Sequence, residues 1–307
     1  MKTLHYCLII VGLGLNLKAS AQTGISGTIK ADYVPFSNYI RPDSVKTGST
    51  SNFKRMQLGF SIPLSAKIDS LGRPKIWSVN VGGSYAKIEN RDYETKLFPA
   101  ELLNAQVGLV HMRPISRTWS IMAMASVGVY TDMEKINGDN ILVQGGVLFI
   151  KNFNPRLALG LGPVVSNTFG VPMVLPGIYF NWLTPGRYHL HINFPENIEF
   201  GAQLTPAFEL KSVVELSGMT AVVNRDDQSM LLGYLQVVAG LRPEFKLGKS
   251  VTLQLTGGAT LTRQFSTTSR KLKDFFKRKE QADPSFSTTA YGAVAIKWSL
   301  SKGKAKK

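Results

Sequence analysis

The chain has 307 residues, with 36 Lys and Arg against 20 Asp and Glu, for a formal net charge of +16. Charged residues make up 18%, below the roughly 25% of soluble domains, and 44% hydrophobic residues argue against disorder. The single cysteine, Cys7, excludes structural disulfides, Cys-ligated zinc, iron–sulfur clusters and a cysteine nucleophile from everything after the first ten residues.

Residues 1–21 come first. Lys2 precedes a short apolar run, residues 7–17 (CLIIVGLGLNL), and Ala19-Ser20-Ala21 forms a small-x-small cleavage pattern before Gln22. This is the three-part form of a secretory signal peptide. The apolar run is about half of the ~20 residues that a spanning helix needs, which argues against a permanent anchor. His5-Tyr6 before Cys7 is not the small-residue setting of a lipid-attachment site. The expected mature chain is residues 22–307, a single domain, and loss of Lys2 and Lys18 lowers its net charge from +16 to +14.

From residue 25 onward apolar and polar residues alternate. In residues 55–69, Met56, Leu58, Phe60, Ile62, Leu64, Ala66 and Ile68 oppose Arg55, Gln57, Gly59, Ser61, Ser65, Lys67 and Asp69. Residues 251–262 set Val251, Leu253, Leu255, Ala259 and Leu261 against Thr252, Gln254, Thr256, Thr260 and Thr262. Tyr188, Leu190, Ile192 and Phe194 alternate with His189, His191 and Asn193. Only an extended strand sends successive side chains to opposite faces, so these are strands with one apolar and one polar side. The pattern predicts fourteen: near 25–34, 54–68, 76–88, 102–113, 118–130, 140–150, 156–165, 172–182, 187–194, 198–204, 207–223, 229–247, 250–264 and 286–300. Twelve is the alternative count if the two short segments around Pro195-Glu196-Asn197 are not strands.

Short and long connections then alternate along the chain. Residues 70–74, 114–116, 151–155, 183–186, 205–206 and 248–249 are tight, whereas 35–53, 89–101, 131–139, 166–171, 224–228 and 265–285 are mostly longer. That asymmetry is expected of an outer-membrane barrel with short periplasmic turns and longer extracellular loops. The four tryptophans point the same way. Trp77 and Trp119 follow short turns, Trp182 precedes one, and Trp298 ends the last strand, each in the apolar parity of its segment. An indole favours a bilayer interface, and a soluble sandwich has no reason to gather four at one end. A many-stranded sheet in lipid must also close, since a bare edge cannot be satisfied there.

The export segment, the paired hairpins and the aromatic-bearing last strand (Tyr291-Gly292-Ala293-Val294-Ala295-Ile296-Lys297-Trp298) resemble a Gram-negative outer-membrane β-barrel. Across its mature length the chain is similar to an uncharacterised outer-membrane β-barrel family of Bacteroidota-type bacteria. Such barrels usually end on an aromatic residue, whereas here Leu300 and residues 301–307 (SKGKAKK) follow Trp298. The resemblance implies an outer-membrane location, the barrel-assembly machinery in biogenesis, and a surround of bilayer and outer-leaflet lipopolysaccharide. It implies no substrate.

Chemistry-bearing residues are sparse. His189 and His191 share a strand face, with Glu199 on the polar parity of the next, so the three could share a metal. Ordinary polar lining of a lumen is the favoured reading. His111 falls in the apolar parity near a turn and reads as interfacial. Serine and histidine are both available for a barrel phospholipase, but no spacing selects a pair. Lys30, Asp32, Arg55, Glu199, Glu209, Lys211, Glu215, Arg242, Glu244 and Lys297 lie on polar parities, as do Lys67 and Lys246. Inward charges of both signs suit a hydrated lumen, or a closed one braced by ion pairs. Residues 269–281 (SRKLKDFFKRKEQ) break the alternation, and Leu272, Phe275 and Phe276 at i, i+3, i+4 spacing predict a short basic amphipathic helix. Glycine pairs 82–83, 145–146 and 257–258 lie inside strands, where they fit bends rather than phosphate cradles.

The expected molecule is an all-β, monomeric, up-and-down antiparallel barrel of about fourteen strands with both termini in the periplasm. Its expected role is passive: a narrow channel for small polar or anionic solutes, or a plugged structural barrel. A barrel enzyme of the phospholipase or protease type and a secreted soluble β-sandwich are the rivals. No catalytic, cofactor-binding or metal-binding residue is expected, and no nucleic-acid partner.

Overall fold

The computed structural model describes residues 24–69, 73–94, 97–134, 136–167, 173–225, 228–269 and 283–300. The expected signal peptide and the expected basic helix beyond Ser269 lie outside the described residues. Fourteen strands form the wall: β1 (Ile25–Ile40), β2 (Lys46–Ile68), β3 (Pro74–Lys87), β4 (Glu101–Pro114), β5 (Trp119–Thr131), β6 (Ile141–Asn154) and β7 (Leu157–Ser166). β8 (Met173–Leu183), β9 (Tyr188–Phe194), β10 (Asn197–Gln203), β11 (Phe208–Arg225), β12 (Gln228–Leu247), β13 (Val251–Ser269) and β14 (Ala290–Leu300) complete it. Each strand pairs antiparallel with its sequence neighbour, and β1 also pairs with β14 from Ile25↔Leu300 to Tyr33↔Gly292. The sheet therefore closes on itself as a barrel, and the stacked layers of a sandwich do not occur among the described residues. At the seam the Trp298 indole lies on Gly27, where an added Cβ would meet the ring at 2.2 Å.

The alternation sets the two faces. Ile29, Met56, Val107, Val127, Phe149, Leu161, Phe200, Leu255 and Val294 are exposed on the outer wall, and the charged residues of the opposite parity are buried inside. Trp77, Trp119 and Trp182 are exposed on the same outer wall beside short turns. Phe60 packs edge-on against Trp298 and His111 stacks on Trp77 with ring centroids 3.9 Å apart, so the end that carries the short turns has an aromatic girdle. The β12–β13 turn is closed by Gly248 at φ 77°, a conformation that costs an L side chain strain.

The connections are less uniform than the alternation of short and long predicts. Residues 35–53 form the tip of an extended hairpin, because β1 runs to Ile40 and β2 begins at Lys46. Likewise β11 and β12 stay paired as far as Arg225↔Gln228. Pro35 and Phe36 sit at a register irregularity between Val34 and Ser37, and the ladder resumes beyond it. Cross-strand pairing thus overrides the turn-rich composition of these segments.

Wall height also varies. β2 has 23 residues and β12 has 20, whereas β9 and β10 have seven each. Above Glu215, β11 has no β10 partner and would present a bare edge. Side chains supply the missing strand. Asn104 of β4 donates to the Thr220 carbonyl and accepts from the Thr220 amide at 3.3 Å. Asn140 donates to the Val222 carbonyl at 3.3 Å, and Val222 pairs with Thr131 of β5. Lower on β11, Val214 is 38% exposed, but Thr220 and Val222 on the same parity are 0% and 1% exposed. Leu142 and Met173 pack over Val222 and Leu231, so the upper part of β11 is enclosed by the opposite wall.

Asn104→Ala leaves two buried backbone groups of β11 without a partner. The expected outcome is a loss of about 1–3 kcal/mol for each, read as a lower midpoint when the refolded protein is titrated with guanidinium.

Candidate functional site

Among the described residues, buried ionic side chains converge in the lumen. In the half nearer the short turns, one wall carries a network of buried ions. Lys211 reaches Glu199 at 3.1 Å, Glu244 at 2.8 Å and Glu209 at 3.7 Å. Arg242 holds Glu199 at 2.9 Å, bonds to Glu215, and donates through Nε to the Thr256 hydroxyl at 3.0 Å. Gln254 donates to Glu244. These residues lie on neighbouring strands β10 to β13, at the inward parity that the alternation predicts. Burial strips their water, and the pairing restores a favourable environment for each charge.

Other contacts span the lumen rather than the wall. Lys30 of β1 reaches Glu215 of β11 at 2.8 Å, although three strands separate β1 from β11 around the ring. Arg55 of β2 pairs with Asp32 at 2.9 Å and donates to the Ser217 hydroxyl of β11 at 3.2 Å. Arg263 donates to Ser37 Oγ and the Ser51 carbonyl, both at 3.0 Å, and to the Asn52 carbonyl at 3.2 Å. Strands so far apart around the ring touch through side chains only if no open bore lies between them.

The half nearer the long loops holds a buried apolar cluster, with the Arg263 guanidinium over the Phe286 ring at 4.2 Å. Phe53 of β2 stacks on Tyr234 of β12 at 4.2 Å, and Phe98, from the connection between β3 and β4, stacks on Phe265 of β13 at 4.3 Å. Val34, Leu102, Met219, Ala221, Leu232 and Phe286 belong to the same buried cluster. A second cluster, Val110, Met122, Leu148, Ile150, Ala158 and Tyr179, lines the inner face of β4 to β8. Side chains therefore fill the part of the lumen between β1–β2 and β11–β13 in both halves.

The expected polar lining separates into two groups. Lys30, Asp32, Arg55, Glu199, Glu209, Lys211, Glu215, Arg242 and Glu244 join the ion pairs described above. Lys67 is exposed at the rim, and Lys246 bonds to Gln203 at 2.8 Å. His189 and His191 face inward but go to different partners: His189 Nε2 is 3.1 Å from Glu209, and His191 meets Tyr179 edge-on. Glu199 is taken by Lys211 and Arg242. Among the described residues no three His, Cys, Asp or Glu side chains converge to hold a metal ion. His111 Nδ1 lies 3.0 Å from the Ile76 carbonyl, on the outer wall.

Sequence reasoning missed Arg263, Phe265 and Tyr39 as lumen residues. A register shift opposite Val237 and Val238 puts Leu261 out of phase, so Arg263 and Phe265 turn inward from what is the apolar parity of the segment below. The irregularity at Pro35-Phe36 does the same for Tyr39. An arginine on a greasy parity, and a proline inside a strand, were the available signals of both slips.

Among known proteins, a family described as Domain of unknown function (DUF6268) matches residues 17–299. No curated protein matches the chain. Of the solved structures, the NanC porin aligns at a TM-score of 0.35 with 7% identity, covering 89% of this chain and 100% of that one. The translocator domain of the autotransporter NalP from Neisseria meningitidis aligns at 0.34 with 9% identity, over 91% and 89% of the two chains. The toluene transporter TodX of Pseudomonas putida aligns at 0.33 with 8% identity, over 91% and 90%. These scores are low, and the barrel rests on its own strand pairing.

Arg242→Met removes one partner from each of two buried carboxylates, Glu199 and Glu215. The expected outcome is a destabilisation of about 3–5 kcal/mol, measured by equilibrium unfolding, and partly recovered when Glu215→Gln is added to the same chain.

Proposed function

We propose that this chain, which belongs to the DUF6268 family, is an outer-membrane β-barrel whose lumen is closed at rest. The outer wall supports the location. Its large exposed side chains are mostly apolar, and tryptophans gather at the end that carries the short turns. Water would penalise such a surface, and hydrocarbon would not. In this reading the short turns and both termini face the periplasm, the barrel is a monomer delivered by the assembly machinery, and lipopolysaccharide surrounds the long-loop end.

The role supported best is structural and passive. The observation that carries it is the set of contacts across the lumen: Lys30 to Glu215, Arg55 to Ser217, and Phe53 on Tyr234. A solute, polar or anionic, would have to displace buried ion pairs and a packed aromatic layer to pass. A narrow channel is the second reading, favoured by one feature. Phe98 belongs to the connection between β3 and β4, not to the wall, so that part of the plug can leave without breaking the wall, whereas Phe286 is laddered to β1.

In planar bilayers the expected outcome for the wild-type chain is no conductance above the lipid background, and steady stepped currents would overturn the closed-lumen reading. Phe98→Ser with Phe286→Ser is expected to stay silent for a structural barrel. Currents from that double variant would identify the channel instead.

A further inference from the structure

The short turns of the barrel are basic. Lys67 and Lys75 flank the β2–β3 turn, Arg113 and Arg117 the β4–β5 turn, and Arg156 and Arg187 the next two, all of them exposed. Lys249 in the β12–β13 turn is exposed as well. Among the described residues of the six short turns there is one acidic side chain, Asp69, and Arg73 holds it at 2.6 Å. The described residues of the long loops are mixed, with Asp43, Glu89, Asp92, Glu94, Asp132 and Glu134 beside Arg41, Lys46 and Arg91, and the sequence of the last long connection, residues 269–281, is itself basic. The short-turn rim thus carries a collar of exposed cations.

The collar lies where the aromatic girdle is. Lys151 places its ammonium 5.8 Å from the Trp119 ring and 5.0 Å from the Phe153 ring, on the outer wall at that end. Like charges crowded on one rim repel each other unless an anion lies among them. At the height of an indole girdle the groups that meet such a rim are lipid headgroups. We infer that the short-turn rim is a binding collar for the phosphates of anionic phospholipids in the leaflet it faces. This rests on the membrane reading above. A soluble acidic partner would have no need of cations placed at the girdle, level with the indoles.

The experiment uses the full chain in proteoliposomes and reads tryptophan fluorescence, because the four indoles all lie at the end in question. Brominated phosphatidylglycerol and brominated phosphatidylcholine are compared as quenchers. The inference predicts that the anionic lipid is preferred by about threefold or more, and that the preference fades when salt is raised to about 0.5 M. It further predicts that Lys67→Gln, Lys75→Gln, Arg113→Gln and Arg117→Gln together reduce the preference towards parity. The salt series on wild-type protein stands even if that variant does not fold. Equal quenching by both lipids overturns the collar and leaves the membrane reading intact. A preference unchanged in the folded variant, or binding of soluble polyglutamate without lipid preference, also overturns it. Quenching by neither lipid overturns the membrane reading itself.

Discussion

Every backbone amide and carbonyl of a sheet needs a partner, and a medium without water offers none. A flat sheet always has two edges left over, and closure is the way to remove them. Here the seam between β1 and β14 joins the ends over nine residue pairs, so the ring is complete at the level of the short turns. It is not automatically complete higher up, because β9 and β10 stop after seven residues while β11 continues. Asn104, Asn140 and the Thr131–Val222 bridge take over there. An asparagine side chain carries the same donor and acceptor as a peptide group, which is why it can stand in for a strand that is missing.

Bringing β11 inward has a consequence for the lumen. Once its upper part is enclosed by β4 to β6, the space above the ion network is small enough for Phe53, Tyr234 and Phe265 to fill. Below it, charges that face one another in a narrow space cannot stay hydrated, so each needs a counter-charge. The network provides this through Lys211, Arg242 and Lys30 against Glu199, Glu209, Glu215 and Glu244. Buried pairs of this kind add little net stability over an apolar isostere, but losing one member is costly. They tie the register of β10 to β13 to one another and to β1. Lys67, Lys75, Arg113 and Arg117, by contrast, are exposed on the short-turn rim.

Much of this was legible from residue order. All fourteen strands correspond to segments of period two, including β9 and β10, whose patterns are the shortest. Tryptophan placement marked one end, and the polar parities correctly put Asp32, Arg55, Glu199, Lys211 and Arg242 inside. Edges were less legible. β1, β2 and β13 run further than their alternation indicates, since cross-strand pairing continues past the bulges that break the phase. Phase was lost wherever a bulge intervened, which is why Arg263 and Tyr39 escaped notice. His189, His191 and Glu199 looked like one site because spacing reports a shared face. It says nothing of the Lys211 and Arg242 side chains that reach Glu199 from β11 and β12.

Residue order alone determined the faces: which side chains look out, which look in, and that the strands form one antiparallel meander. Those follow from a local rule, the alternation of Cβ direction along an extended chain. Whether the interior is a bore or a filled core was decided only in three dimensions. It depends on which inward side chains, tens or hundreds of residues apart in the chain, meet across the ring, and on how far β11 leans in once its neighbours end. Strand heights, bulge positions and chord distances are properties of the closed ring as a whole, and no stretch of sequence carries them by itself.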